Sequence, residues 1–324
     1  MTTVSSIVRQ AAQVAVLTSA VAAVACSTWM AREQRPAPTP AEAKVAASTP
    51  TAFPNAPNSL KFAVLGDFGT GDPAQYALAK RMEEVHKAFP FEVVLLVGDN
   101  IYGSDRPQDY KTKFEIPYKP LLDAGVKFQA ALGNHDAREQ RLYKLFNMNG
   151  ELYYTFKAPK QDVRVIALES TYMEPDQVVW LEKTLAAASE DWVIVIEHHP
   201  LYSSGLTHGS DERLRSALEP LLVKYGVDVV LTGHDHLYER SKPQHDITHF
   251  VVGSGGKLRP GDFRPNQPFS AKIFDSTNVF LAGEILDDQL VFNAYTTSGA
   301  VVDSGKITRV DRKGGSSDGA GGTR

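Results

Sequence analysis

From Leu60 to about Arg309 the chain alternates short apolar runs with stretches in which apolar residues return every three or four positions. The runs predict buried strands, the spaced stretches predict helices with one packed face, and their alternation predicts an α/β fold. Strands are expected at Lys61 to Leu65, Val93 to Val97, Phe128 to Leu132, Val163 to Leu168, Trp192 to Ile196 and Val227 to Leu231. These runs are predominantly apolar rather than strictly alternating, as strands covered on both faces must be. Between the first two, Leu78, Met82, Val85 and Phe89 form one helical stripe. Further helices are expected from Asp176 to Ala188 and from Glu212 to Tyr225, the latter stopped by Gly226. Past Gly256 only strand patterns remain, including Val279 to Ile285 and Gln289 to Thr296 joined by a tight turn at Asp287-Asp288.

The flanks lack these periods. Residues 1–30 read as an export segment, because Arg9 precedes an apolar run from Ala11 to Ala25 that is shorter than the ~20 residues of a bilayer span. Ala23-Val24-Ala25 has the small side chains of a signal cleavage site, and Cys26 follows. This resembles a bacterial lipoprotein signal, which implies lipidation of Cys26 and membrane attachment through it. Ala23 stands where such signals carry a larger aliphatic residue, so plain secretion and an uncleaved anchor stay open. Either way the expected location is periplasmic or extracellular. Residues 31–58, rich in proline, alanine and threonine, read as a semi-rigid linker. Residues 59–309 read as the catalytic domain, and 310–324, rich in glycine and serine, as a disordered tail.

Composition narrows the chemistry. The chain is 43% apolar and 22% charged with a formal net charge of −4, so no basic surplus points to nucleic acid as a partner. Cys26 is the single cysteine, which excludes intrachain disulfides and thiolate metal sites. Any bound metal must be held through nitrogen and oxygen.

Five strand ends carry such atoms. Lys61 to Leu65 runs into Gly66-Asp67-Phe68-Gly69, Val93 to Val97 into Gly98-Asp99-Asn100-Ile101-Tyr102, and Phe128 to Leu132 into Gly133-Asn134-His135-Asp136. Trp192 to Ile196 runs into Glu197-His198-His199-Pro200, and Val227 to Leu231 into Thr232-Gly233-His234-Asp235-His236. In an open α/β sheet, ligands bind beyond the carboxyl ends of the strands, so the five loops are expected to share one crevice. Singly, each is ordinary turn chemistry; jointly, they deliver more donors than one four-coordinate ion needs. Two ions roughly 3.5–4 Å apart, bridged by a carboxylate, form the clamp used for displacement at phosphorus. His234 and His236, two apart in an extended stretch, are expected to face one side with Asp235 turned away. One helical turn after the second strand is expected to bring Asp99 and Tyr102 together.

In order and content the five blocks resemble those of the purple acid phosphatases within the calcineurin-like metallophosphoesterase superfamily: Gly-Asp-x-Gly, Gly-Asp-x-x-Tyr, Gly-Asn-His with an acid, Val-x-x-His as Val195 to His198, and Gly-His-x-His. Leu237-Tyr238-Glu239-Arg240 and Val252-Gly253-Ser254-Gly255-Gly256 are similar to the family as well. The resemblance implies a two-sheet β-sandwich flanked by helices in α/β/β/α layers. It also implies ferric iron, Fe(III), held by Asp67, Tyr102 and His236, with Asp99 bridging to a divalent ion (Fe, Zn or Mn) held by Asn134, His198 and His234. Hard anionic oxygens suit the trivalent ion, and imidazole with an amide oxygen suits the divalent one. A ferric ion lowers the pKa of its water, which implies a hydroxide nucleophile and an acid pH optimum. His135 and His208 match positions that contact the phosphoryl group of a small phosphomonoester and protonate the leaving oxygen, work of ~10²–10⁴ in rate. Asp136 is expected to orient His135, and Glu197 to place a negative charge beside His198. Ser170 to Asp176 is too short for the repressive loop of some animal members. His86, His199, His245 and His249 belong to no block and read as surface or packing residues. The alternative enzyme is a phosphodiesterase or nucleotidase with two divalent ions, in which Tyr102 only packs. A binding protein that kept the fold without turnover is the third reading.

Overall fold

The structure, a computed structural model, describes residues 48–310. In chain order its elements are β1 (Leu60–Leu65), α1 (Pro73–Ala88), β2 (Val93–Val97), the short α2 (Pro107–Tyr110) and α3 (Lys119–Asp123), β3 (Lys127–Ala131), β4 (Tyr154–Lys157) and β5 (Val163–Ala167). They continue with α4 (Pro175–Ala187), β6 (Trp192–Ile196), α5 (Glu212–Lys224), β7 (Val229–Thr232), β8 (Tyr238–Ser241), β9 (Thr248–Val252), β10 (Ser270–Phe274), β11 (Val279–Leu286), β12 (Gln289–Thr296) and β13 (Val301–Thr308). The strands form a six-stranded sheet of order β13-β12-β11-β1-β2-β3 and a seven-stranded sheet of order β10-β8-β9-β7-β6-β5-β4. All six strands and three helices expected from periodicity are present, with ends shifted by a residue or two.

Those strands are apolar on both faces because each sheet has a helix layer outside and the other sheet inside. Leu181, Leu185, Leu214, Leu218 and Leu222 of α4 and α5 pack on Ile166, Val193, Val195 and Val230 of the second sheet. On the first sheet, α1 buries Leu78 and Met82. Between the sheets, Phe250 meets Phe292 edge-on at 5.2 Å, Trp192 donates Nε1–H to Asp287 O at 2.8 Å, and Tyr238 and Arg240 both bond Asp303. Burying an aromatic or large aliphatic side chain here contributes about 1.5–3 kcal/mol. The result is the α/β/β/α sandwich. The six expected strands divide between two sheets, with β1, β2 and β3 parallel in one and β5, β6 and β7 parallel in the other. A single open sheet does not form.

Residues 48–58, assigned to the linker by composition, are bound along the first sheet. Ser48 N–H donates to Val301 O at 2.8 Å, Thr51 exchanges two bonds with the Asn293 amide, and Phe53 stacks on Phe89 at 4.0 Å. The buried Glu284 carboxylate accepts from the N–H groups of Asn55 and Ala56. The domain therefore starts before residue 59; composition shows little to bury there, but backbone groups are satisfied by side-chain partners. Residues 1–47 and 311–324, with the export segment and Cys26, lie outside the described residues. Among the described residues no helix is long and apolar enough to cross a membrane.

Candidate metal centre

The five loops meet at one edge of the sandwich, three from the first sheet and two from the second. Their glycines do more than turn the chain. A Cβ on Gly98 would lie 2.5 Å from His198 Nδ1, one on Gly133 2.3 Å from Asp99 Oδ1, and one on Gly233 2.4 Å from Asp67 Oδ2. Each glycine thus leaves room for a donor side chain from another block. Asp67, Asp99 and His234 take left-handed backbone, with φ of 53°, 52° and 72°. Such conformations cost free energy and persist only where the surroundings hold them. Here Asp67 Oδ2 accepts the His234 N–H and Asp99 Oδ1 accepts the His135 N–H, both at 2.9 Å.

The donor atoms fall into two sets. In the first, Tyr102 Oη lies 3.1 Å from Asp67 Oδ1 and 3.4 Å from His236 Nε2, which is itself 3.4 Å from Asp67 Oδ1. In the second, His198 Nε2 lies 3.1 Å from both Asn134 Oδ1 and His234 Nδ1. Asp99 stands between the sets, with Oδ1 3.4 Å from His198 Nε2. Asp67, Asp99 and His198 alone place donor atoms within 4.8 Å of one another. Adjacent ligands at ~2.1 Å from one ion stand about 3 Å apart, so these separations suit a shared cation.

Protonation supports the fit. His198 Nδ1–H donates to Val97 O at 2.9 Å, so the Nε2 lone pair faces an amide oxygen and a carboxylate. Without a cation those pairs oppose one another. Burial, reinforced by Asp99, pushes the Asp67 carboxyl well above the usual carboxylate range. Burial likewise lowers His198, His234 and His236, the last to about 3 with help from the Arg259 charge. Neutral imidazoles beside carboxylates short of positive charge are a donor set that a metal ion completes.

His135 and His208 are both exposed at the crevice, with the Tyr102 ring 5.0 Å from His135 and the His234 ring 4.0 Å from His208. Four local expectations are corrected. Tyr102 reaches the site without a helical turn, after Gly98 and Asp99 both take left-handed backbone. His234 and His236 share a side through the left-handed His234 rather than an extended stretch. Asp136 does not orient His135: its carboxylate accepts the N–H groups of Asn100, Ile101 and Gly133, binding the second loop to the third. Glu197 is fully buried and its carboxyl is pushed up to about 8, by burial first and the Asp211 charge second, so at neutral pH it carries mainly a proton. His199, expected to be a surface or packing residue, packs its ring 4.3 Å from that of His234, with Nδ1 2.9 Å from Ser170 Oγ.

Motif reading missed the supports of the His208 loop. Asp235 bonds Ser203 Oγ and the Gly209 N–H, while Glu239 accepts from both the N–H and hydroxyl of Ser204. Only the acids at spacing four in His234 to Glu239 hinted at it. Glu239→Gln removes one acceptor and is expected to lower kcat/KM on an aryl phosphate about tenfold or more, with metal content retained. Metal loss in that variant would instead make Glu239 a support of the ligands themselves.

The family model for calcineurin-like phosphoesterases matches residues 60–238, and the chain belongs to that family. It is 26% identical over 243 residues to tartrate-resistant acid phosphatase type 5 of Oryctolagus cuniculus, covering 62% of this chain and 74% of that one. To purple acid phosphatase 4 of Arabidopsis thaliana it is 25% identical over 281 residues, covering 76% and 83%. In fold it is similar to the purple acid phosphatase PPD1 from yellow lupin (Lupinus luteus) seeds, with TM-score 0.66, 22% identity and coverage of 81% and 56%. It is equally similar to GAP50, the anchor in the inner membrane complex of Plasmodium, with TM-score 0.66, 22% identity and coverage of 79% and 90%. The family and its acid phosphatase relatives make the chain a metallophosphoesterase, a hydrolase with a metal centre.

Proposed function

We propose that this protein is an acid phosphatase that hydrolyses small phosphate monoesters at a binuclear centre of ferric iron and a divalent ion, Fe, Zn or Mn. The observation that carries the reading is the division of the donors into two sets meeting at Asp99. Asp67 and Tyr102 with His236 suit a hard trivalent ion, and Asn134, His198 and His234 suit a divalent one. Bound there, the metals supply Lewis-acid polarisation of the phosphoryl group and an acidified water. The chain's own residues do the remaining work. Val97 O holds the His198 tautomer, and the His135 N–H holds the Asp99 carboxylate. The exposed His135 imidazole can donate to a phosphoryl oxygen, and His208 can pass a proton to the departing alkoxide. The relatives' names support the monoester reading.

Purified with its native metals, the protein is expected to show a broad visible band that Tyr102→Phe abolishes. It is also expected to hydrolyse 4-nitrophenyl phosphate faster than bis(4-nitrophenyl) phosphate. A colourless protein that contains divalent ions only and prefers the diester would overturn the proposal in favour of a phosphodiesterase. Export through residues 1–30 with lipidation of Cys26 belongs to the same proposal. The intact mass of membrane-extracted protein checks it: a chain beginning at a diacylated Cys26 supports it, and an unprocessed N-terminus sinks it.

A further inference from the structure

Two cations stand at the rim of the crevice without a strong carboxylate partner. Lys257 Nζ lies 4.8 Å from the centre of the Tyr102 ring and makes no ion pair among the described residues. Arg259, 39% exposed, reaches the Asp262 carboxylate only at 3.8 Å and turns Nη1 to His208 Nε2 at 3.3 Å. Both follow the glycine-rich run after β9, and neither is free to drift. Gly255 N–H donates to Gly66 O, and Lys257 N–H to Asp67 O, at 3.0 Å each, and Arg259 N–H donates to His236 O at 3.3 Å. A Cβ on Gly255 would meet Gly66 O at 2.5 Å, so the approach needs glycine. The two side chains are therefore carried on the backbones of candidate metal ligands.

Their loop is also paired with the loop that carries His208. Arg264 N–H donates to Ser204 O at 2.8 Å, Leu206 N–H to Asp262 O at 3.1 Å, and Arg264 Nη1 to Gly205 O at 2.8 Å. Arg259 and the His208 imidazole thus occupy one rim, and the proton transfer proposed for His208 puts the leaving alcohol on that side. Metal ions held by the two donor sets would neutralise the reacting phosphoryl group, and preorganised cations beyond them, Lys257 with no ion pair among the described residues and Arg259 with only a long one to Asp262, suit a second negative charge.

We propose that Lys257 and Arg259 form an anion subsite that selects phosphomonoesters whose alcohol carries a further anionic group, a carboxylate or a second phosphate, a few bonds from the ester oxygen. This rests on the phosphomonoester reading of the metal centre. A fork of N–H donors on Arg259 fits either oxyanion, and Lys257 adds a point charge.

Glycerol 3-phosphate and 3-phosphoglycerate differ by one carboxylate and test the subsite directly, through the ratio of their kcat/KM values on the metal-loaded protein. The wild type is expected to favour 3-phosphoglycerate about tenfold, and Arg259→Gln and Lys257→Gln each to reduce that ratio ~3–10-fold, the range of an ordinary hydrogen bond or a solvated ion pair. Arg259→Lys, which keeps the charge, is expected to recover part of the preference, excluding a general loss of structure. A wild type that hydrolyses glycerol 3-phosphate with no preference for the carboxylate sinks the subsite and leaves the acid phosphatase reading standing. Equal losses on both substrates in the glutamine variants also overturn it, since the cations then serve the phosphoryl group alone or steer any phosphate. Failure to hydrolyse either ester removes both proposals together.

Discussion

Replacing Asp99 with asparagine is expected to cut kcat/KM for 4-nitrophenyl phosphate roughly a thousandfold, several kcal/mol of transition-state stabilisation, and to lower the metal content of the purified protein. The reason is position. Asp99 is 1% exposed, sits on left-handed backbone and places its carboxylate between the two donor sets, 3.4 Å from His198 Nε2 and within 4.8 Å of a donor atom of Asp67. Asparagine keeps the shape and one oxygen but removes the negative charge that two cations would share. Metal analysis beside kinetics separates the consequences. Loss of metal with loss of rate identifies a clamp, and loss of rate at full occupancy identifies a role in the chemistry itself. Full activity with full metal content would show that Asp99 is not the bridge.

Gly98→Ala is expected to cost about 2–5 kcal/mol of stability and to weaken metal binding with it. Gly98 has φ of 89°, which costs a residue with a Cβ ~1–2 kcal/mol. The new methyl would also lie 2.5 Å from Nδ1 and 2.7 Å from Cγ of His198, and overpacking of that kind costs about 1–3 kcal/mol. His198 cannot retreat without breaking its bond to Val97 O. Gly125→Ala is the control: φ there is 84° with nothing within 4 Å of the new Cβ, so only the backbone cost of ~1–2 kcal/mol applies. Urea unfolding of the metal-free variants reads the difference. Equal destabilisation of the two would mean that the His198 ring does not crowd Gly98.

Much of the site was legible in the chain because its donors sit at strand ends. An apolar run such as Val93–Val97 reports its own burial, and the polar residue after it is then placed at the sheet's carboxyl edge whatever the sheet's partners are. Asp67, Asp99, Asn134, His198 and His234 follow this rule, and the structure brings them together. Two of the strands not expected from the pattern have burial that is not written in local hydrophobicity. Tyr238–Ser241 is polar yet lies between β9 and β10, with Tyr238 and Arg240 bonded to Asp303. Val301–Thr308 is apolar only at its start because it is the outer strand of its sheet.

Local pattern thus suffices for what an element does to itself: the period of α1, the two-residue turn at Asp287-Asp288 with Leu286 paired to Gln289, and the order of the five loops. It is silent on which distant group a polar side chain meets. Asp136 binds the backbone of the second loop rather than the neighbouring His135, Asp235 and Glu239 hold the His208 loop, and Lys257 and Arg259 reach the crevice from a run with no donor motif. The division of six similar strands between two sheets is equally invisible to periodicity, since a strand covered by a helix on one face and a strand layer on the other is apolar in either arrangement. Partner choice for charges and hydrogen bonds depends on groups tens to hundreds of residues apart, and only the pairing of strands within each sheet, together with the packing of one sheet on the other, brings them within reach.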